Sequence, residues 1–176
     1  MVWEVIDIAI VDSLRTHIQG VLVRNPGWEA ALTGYRVEGA WMSGDWDTVQ
    51  HLVNKRCGSD AWELDIAELL LSLRSSDESR FTETIASVRQ RLGAPIFATG
   101  ESGGYRRAYD SILKLHLVQD IEIVRNAISK VREDQTKTQT LPDLFALLSR
   151  RLDSTLPTFR TREPLLSVHR ATYSLS

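Results

Sequence analysis

Apolar residues recur at helical spacing along most of this chain, and that recurrence leaves few folds open to it. In DAWELDIAELLLSL (60–73), Trp62, Ile66, Leu69, Leu70 and Leu73 fall at i, i+4, i+7, i+8 and i+11, with Glu63, Asp65 and Glu68 between them. Phe81, Ile85, Val88 and Leu92 repeat the spacing, and Leu141, Leu144, Phe145, Leu148 and Leu152 repeat it again. Residues 105–124 predict a longer helix with a wide apolar face: Tyr105, Ala108, Tyr109, Ile112, Leu115, Leu117 and Ile121. Each stripe carries helix punctuation. Asp60 and Glu63 form a capping pair with Ser59 as an alternative cap, and Ser76 or Asp77 caps the helix that Gly93 and Pro95 end. Thr140 caps the next, where Pro142 sits in the first turn and its missing N–H costs nothing. VIDIAIV (5–11) half-alternates like a strand, yet its apolar positions continue through Leu14, Ile18 and Leu22 without a turn signal, so it too reads as helix.

YRVEGAWMSGDWDTVQ (35–50) places Trp41 and Trp46 around a Ser-Gly-Asp. A cage of exposed rings, a catalytic loop and the corner of a helical hairpin are the three readings. A helix beginning after Pro26-Gly27 places Leu32, Tyr35, Gly39 and Met42 on one stripe and ends at Gly44, because glycine accepts the left-handed backbone past a helix C-terminus. Asp45 then offers a carboxylate to the free N–H groups of a new helix carrying Trp46, Val49, Leu52 and Val53. The tryptophans are expected to pack inward across this short turn, each burying on the order of 200 Å², or ~5 kcal/mol gross. A hairpin corner fits best. The expected fold is all-α, with roughly eight helices in consecutive antiparallel hairpins and no β-sheet. The hairpins fall at 1–54, 59–92, 104–137 and 140–175, with loops at 93–103 and 132–140, as part of one helical-repeat domain. GDWDTV resembles the joint of a tetratricopeptide repeat except that Val49 replaces the usual alanine. The array is therefore a degenerate tetratricopeptide- or HEAT-like α-solenoid.

The composition and the reactive residues argue against a built active site. With 176 residues, 43% of them hydrophobic and 25% charged, and a net charge of −2, no global field favours nucleic acid or an anionic membrane. One cysteine, Cys57, excludes an intrachain disulfide and a cysteine-built metal site, which suits the cytosol or nucleus. No apolar run reaches membrane-spanning length, and Glu4 and Asp7 stand where a signal peptide carries lysine or arginine. Val2 and Trp3 open the chain without a polar lead-in, so a beginning inside an element is expected. His17, His51, His116 and His169 lack metal-ligand spacing and are expected to be exposed or satisfied in the core. GESGG (100–104) lacks the Lys-Ser/Thr of a phosphate loop and reads as a linker. Arg106-Arg107, Arg150-Arg151 and the arginines of 160–170 read as solvated faces or helix-dipole partners. No carboxylate pair is expected on an apolar stripe, and Asp65 and Glu68 fall on the polar side of their helix.

Four blocks, in order, carry a resemblance: YRVEGAWMSGDWDTVQHLV (35–53), WELDIAELLLSL (62–73), GYRRAYDSILKLHLVQDIE (104–122) and FRTREPLLSVHRA (159–171). Together they resemble the FAT domain of the ATR-type checkpoint kinases, within the phosphatidylinositol 3-kinase-related protein kinases. Fungal members are the expected kin. The most specific residues are Tyr35, Arg36 and Glu38 leading to Trp41 and Trp46, then Tyr105, Arg106 and Tyr109 followed by Lys114 and His116, then Arg162, Glu163 and Pro164. The 125–140 segment matches poorly, and residues 1–25 add little. The resemblance implies a curved helical array that wraps a kinase domain in the same polypeptide, in the nucleus. It implies neighbouring repeats, an ATRIP-like partner and homodimer contacts, with no direct nucleic acid or membrane. It also implies no catalytic, cofactor or metal residue here, since ATP and magnesium belong to a kinase domain farther on. Pro164 is expected to fix the first turn of the last helix, and Arg162 either pairs with an acid of the preceding hairpin or simply starts a helix. A free-standing tetratricopeptide-like adaptor is the alternative. A small helical enzyme stays open only if His116 or His169 sits in a deep pocket beside a buried carboxylate.

Overall fold

The computed structural model describes residues 2–56, 59–75, 77–97, 104–133 and 140–174, without the side chains of 2–11, 94–97, 104–107, 131–133, 140–141 and 173–174. These residues form eight α-helices and one short 3-10 turn. They are α1 (Val2–Arg24), the turn Pro26–Trp28, α2 (Glu29–Met42), α3 (Trp46–Lys55), α4 (Trp62–Ser75), α5 (Glu78–Phe97), α6 (Gly104–Glu133), α7 (Thr140–Asp153) and α8 (Phe159–Ser174). Among the described residues there is no strand, and no helix is long and apolar enough to cross a membrane. The 5–11 segment is helical, as the unbroken apolar period through Ile18 requires. The chain divides into two compact units, Met1–Asp77 and Glu78–Ser176. The boundary falls inside the expected 59–92 hairpin, so α4 and α5 are described with separate units.

In the first unit α2 is central, with α1, α3 and α4 all packed on it, and α4 packs on α3 as well. Leu64, Ile66, Ala67, Leu69, Leu70, Leu71 and Ser72 are all buried, so α4 is covered around much of its circumference rather than along one stripe. Each fully buried leucine there contributes about 1.5–3 kcal/mol relative to exposure. The acids between them are used as well. Arg56, just past α3, reaches Glu68 Oε2 at 2.5 Å and Asp65 Oδ1 at 3.5 Å, fastening the end of α3 to α4.

The expected stripe of α2 is wrong in phase. Tyr35 is 60% exposed and Met42 is also exposed. The buried face carries Thr33, Gly34, Val37, Ala40 and Trp41. Its small residues let α2 come close to the start of α4. A Cβ added at Gly34 would lie 3.2 Å from Ala61 Cβ and 2.9 Å from Glu63 Oε2. A stripe of larger side chains would hold the helices apart. Ahead of α4, the Ser59 hydroxyl accepts the Ala61 N–H at 3.3 Å.

In the second unit α6 packs on α5, α7 and α8. Phe81, Ile85 and Val88 of α5 are buried, and Arg125 of α6 lies 4.4 Å above the Phe81 ring. Arg89 of α5 donates to Gln119 Oε1 at 2.9 Å and Glu122 Oε2 at 2.7 Å of α6. Val124 with Leu144 and Leu148 forms the α6–α7 core, flanked by Ile123, Ala127 and Ile128. Ile112, expected on the buried face of α6, is exposed, as is Phe145 of α7.

Two proline expectations fail for the same reason. α5 does not end at Gly93 but runs through Pro95 to Phe97, and α8 begins at Phe159, a turn before Pro164. A proline near a helix end removes one backbone bond, which the adjoining turns tolerate. Thr158 starts α8, its hydroxyl accepting the Thr161 N–H at 3.3 Å. The segments 98–103 and 134–139, within the two expected loops, lie outside the described residues.

Candidate functional site

The most unusual cluster in the molecule is a carboxylate at the heart of the second unit. Asp120, on the fifth turn of α6, is 1% exposed. An unpartnered carboxylate there would be very costly, so its neighbours must compensate it. They come from two other helices. Arg151, near the end of α7, donates from Nε to Oδ1 and from a terminal nitrogen to the His116 carbonyl at 3.2 Å. His169, on α8, places Nε2 2.9 Å from Oδ2. A carboxylate beside a guanidinium accepts, so His169 presents its Nε2–H there. The cluster thus ties α6, α7 and α8 at one point.

His116, one helical turn before Asp120, completes it. Its Nε2 lies 3.8 Å from Asp120 Oδ2, too far for a hydrogen bond, and is buried without a partner. Burial lowers the His116 pKa below its ordinary value, outweighing the raising effect of Asp120; the Arg151 charge and His169 lower it further. The neutral ring is therefore the stable one at neutral pH.

The arrangement limits its own chemistry. A histidine against a buried carboxylate is also the skeleton of an acid–base pair. Here, however, Arg151 takes the other oxygen, and among the described residues no hydroxyl or thiol is hydrogen-bonded to either imidazole. Among the described residues, no group of three or more His, Cys, Asp or Glu is placed to hold a metal ion. What the geometry performs is attachment of three helices.

Carboxylates weighed only in pairs do not single out Asp120, and Arg151, read as a solvated or helix-dipole residue, is also a partner of that buried acid. Arg150 is exposed while Arg151 turns inward. A local signal existed: His116 and Asp120 are spaced i, i+4, and Asp120 stands between Val118 and Ile121, both buried.

The residues singled out in the sequence occupy varied places. At the corner, Gly44 has φ +75° and no atom within 4 Å of where a Cβ would stand, so the left-handed backbone alone calls for glycine. Asp45 caps α3: Oδ1 accepts the Thr48 N–H at 3.2 Å and Oδ2 the Thr48 hydroxyl at 2.8 Å. Those two bonds, more than the Arg15 charge, lower its pKa. Trp41 is buried with its indole N–H unpartnered, while Trp46 is half-buried with Arg74 5.5 Å above its ring. With one ring in the core and the other under a guanidinium, this is no open cage.

Tyr35 is exposed, and Arg36 and Glu38 are half-buried on α2. The side chains of Tyr105 and Arg106 lie outside the described residues. The Tyr109 hydroxyl accepts the Leu156 N–H at 3.4 Å, holding the α7–α8 turn against α6. Lys114 is half-buried. Arg162 lies 3.7 Å from Asp153 of α7 and donates to the Thr155 carbonyl at 3.4 Å, so its acid belongs to its own expected hairpin, 140–175, and not to the preceding one. Glu163 accepts the Ser167 hydroxyl at 2.8 Å, and Pro164 is exposed.

Comparison with known proteins agrees with the blocks that carry the resemblance. The FAT domain family matches residues 34–176. The Arabidopsis thaliana protein named serine/threonine-protein kinase ATR is 29% identical over 181 residues, covering 93% of this chain and 7% of its own length. The proteins of that name from Oryza sativa subspecies indica and japonica are each 26% identical over 179 residues, covering 94% of this chain and 7% of theirs. The chain therefore spans a small fraction of the relatives it matches, which are plant rather than fungal proteins. No solved structure matches it.

Proposed function

The chain belongs to the FAT domain family, and from that membership we infer that it is a non-catalytic regulatory scaffold segment of an ATR-type serine/threonine protein kinase of the DNA-damage checkpoint. It positions a kinase domain carried elsewhere in the same nuclear polypeptide and supports contacts with neighbouring repeats, an ATRIP-like partner or a second copy. ATP and magnesium are bound by that kinase domain, not by these residues.

The observation that carries this reading is the use made of buried charge. Asp120 is shared between Arg151 and His169, from two further helices. An acid with each of its oxygens held by a different helix is committed to structure. Helices joined at such a point move together, and a unit that moves as one body can transmit displacement to its neighbours.

The test has two parts. The purified chain, given ATP, magnesium and a serine-containing peptide, is expected to transfer no phosphate, and transfer would refute the scaffold reading. In the complete kinase, Asp120→Ala is expected to weaken activator-stimulated phosphorylation while ATP binding persists. Unchanged stimulation in a variant with a demonstrably loosened second unit would refute the positioning role.

A further inference from the structure

In the first unit, α1, α2 and α3 enclose a groove of about 420 Å³ lined by Arg15, Thr16, Gln19, Arg36 and Thr48. None of these lining residues is acidic, and the two threonine hydroxyls already donate to the Asp12 carbonyl and Asp45 Oδ2, which leaves the two guanidiniums as the charged donors. We propose that this groove binds a phosphorylated serine side chain of a partner peptide, held between Arg15 and Arg36.

The existing ion pairs show why phosphate suits it better than carboxylate. Arg15 already meets a carboxylate, Asp45 Oδ2 at 2.8 Å, and that oxygen also accepts the Thr48 hydroxyl at 2.8 Å. One carboxylate thus engages one guanidinium and leaves Arg36 aside. Arg36 has only a long contact, 3.6 Å to Glu29 Oε1, and that oxygen is taken by Lys55 Nζ at 2.8 Å. A phosphate monoester brings close to two negative charges and three acceptor oxygens pointing in different directions. It can accept from both arginines at once with close to one negative charge for each, where a carboxylate brings a single charge to the two. Arg15 can turn from Asp45 to the phosphate without disturbing α3, because Asp45 keeps its capping bonds to Thr48. The groove is half open to solvent, so a phosphate carried on a longer chain can enter it.

The proposal does not depend on the scaffold reading. It is tested by calorimetric titration of the protein at about 0.15 M salt, where exposed charges are screened beyond ~8 Å. The probes are Gly-phosphoSer-Gly, Gly-Ser-Gly, Gly-Asp-Gly and inorganic phosphate. The phosphopeptide is expected to bind, the serine and aspartate peptides not to bind, and inorganic phosphate to bind at least about tenfold more weakly. Arg36→Gln is expected to lower phosphopeptide affinity about tenfold or more with an unchanged thermal melt. Arg15→Gln, at a side chain 46% exposed, provides a second variant with little risk to folding. Arg160→Gln, in the other unit, should change nothing. No phosphopeptide binding at millimolar concentration, equal binding of the aspartate peptide, or indifference to both groove variants would overturn the proposal. Equal binding of inorganic phosphate would overturn the assignment to a peptide.

Discussion

Removing the Asp120 carboxylate is the sharpest test of how the second unit is held together. In Asp120→Ala, Arg151 loses its Nε partner and His169 loses a 2.9 Å bond, at a position 1% exposed. Breaking a buried ion pair by deleting one partner costs about 3–5 kcal/mol, because the surviving charge stays uncompensated. The Arg151 side chain retains 24% exposure and can turn partly to water, which argues for the lower end, about 3 kcal/mol. For a unit of this size, that corresponds to a fall in melting temperature of about 12–24 °C. The assay uses the distribution of chromophores. All five tryptophans (3, 28, 41, 46 and 62) lie in the first unit, so indole fluorescence reports that unit while far-ultraviolet circular dichroism reports both. The dichroism transition is expected to fall and to split from the fluorescence transition where the units unfold separately. Replacing the whole cluster, as in Asp120→Leu with Arg151→Met and His169→Leu, should recover much of the loss, since apolar packing often equals a buried ionic triad. A loss below about 1 kcal/mol in Asp120→Ala would refute the claim that the cluster holds the helices together.

Further outcomes follow from single features. Gly44→Ala should cost about 1–2 kcal/mol through backbone strain alone, since the φ of +75° is disfavoured for a side chain that otherwise meets nothing; denaturant midpoints read it. Gly34→Ala should be nearly neutral, its gain in helix propensity offsetting a 3.2 Å approach to Ala61 once the Glu63 carboxylate, 2.9 Å away at the end of a flexible side chain, turns aside, whereas Gly34→Val should cost about 2 kcal/mol or more by forcing α2 from α4. Asp45→Ala should cost about 0.5–2 kcal/mol by uncapping α3, and equal stability would remove the capping argument. His116 makes stability depend on pH with a definite sign. Its native pKa lies below the ordinary 6.5, so the unfolded chain takes the proton first and the contribution, complete above about pH 6.5, shrinks as pH falls toward the native value. His116→Gln should flatten that limb of the urea-midpoint profile, and an unchanged profile would count against it.

Local features proved the most legible in the sequence. Asp45 caps α3 because cap and recipient are three residues apart, and Gly44 turns left-handed because the next helix starts at once. The helical period of α2 was readable but its phase was not. Hydrophobicity draws attention to Tyr35 and Met42, while the close approach of α4 rewards Gly34 and Ala40. The cluster around Asp120 was hidden for another reason. Arg151 stands 31 residues away and His169 49, and no local rule joins residues so far apart until three helices have packed. Arg150 and Arg151 look alike in the sequence, and only the orientation of α7 decides which one reaches the core.

The length of α6 has a mechanical consequence. Thirty residues of unbroken helix extend about 45 Å, with α5, α7 and α8 all resting on that one rod. Tilting such a lever by about 5° about one end sweeps its far tip through roughly 4 Å, about three-quarters of the rise of a helical turn. Small angular errors near Gly104 are therefore magnified at Glu133, and the weld at Asp120, just past the midpoint, is well placed to resist them.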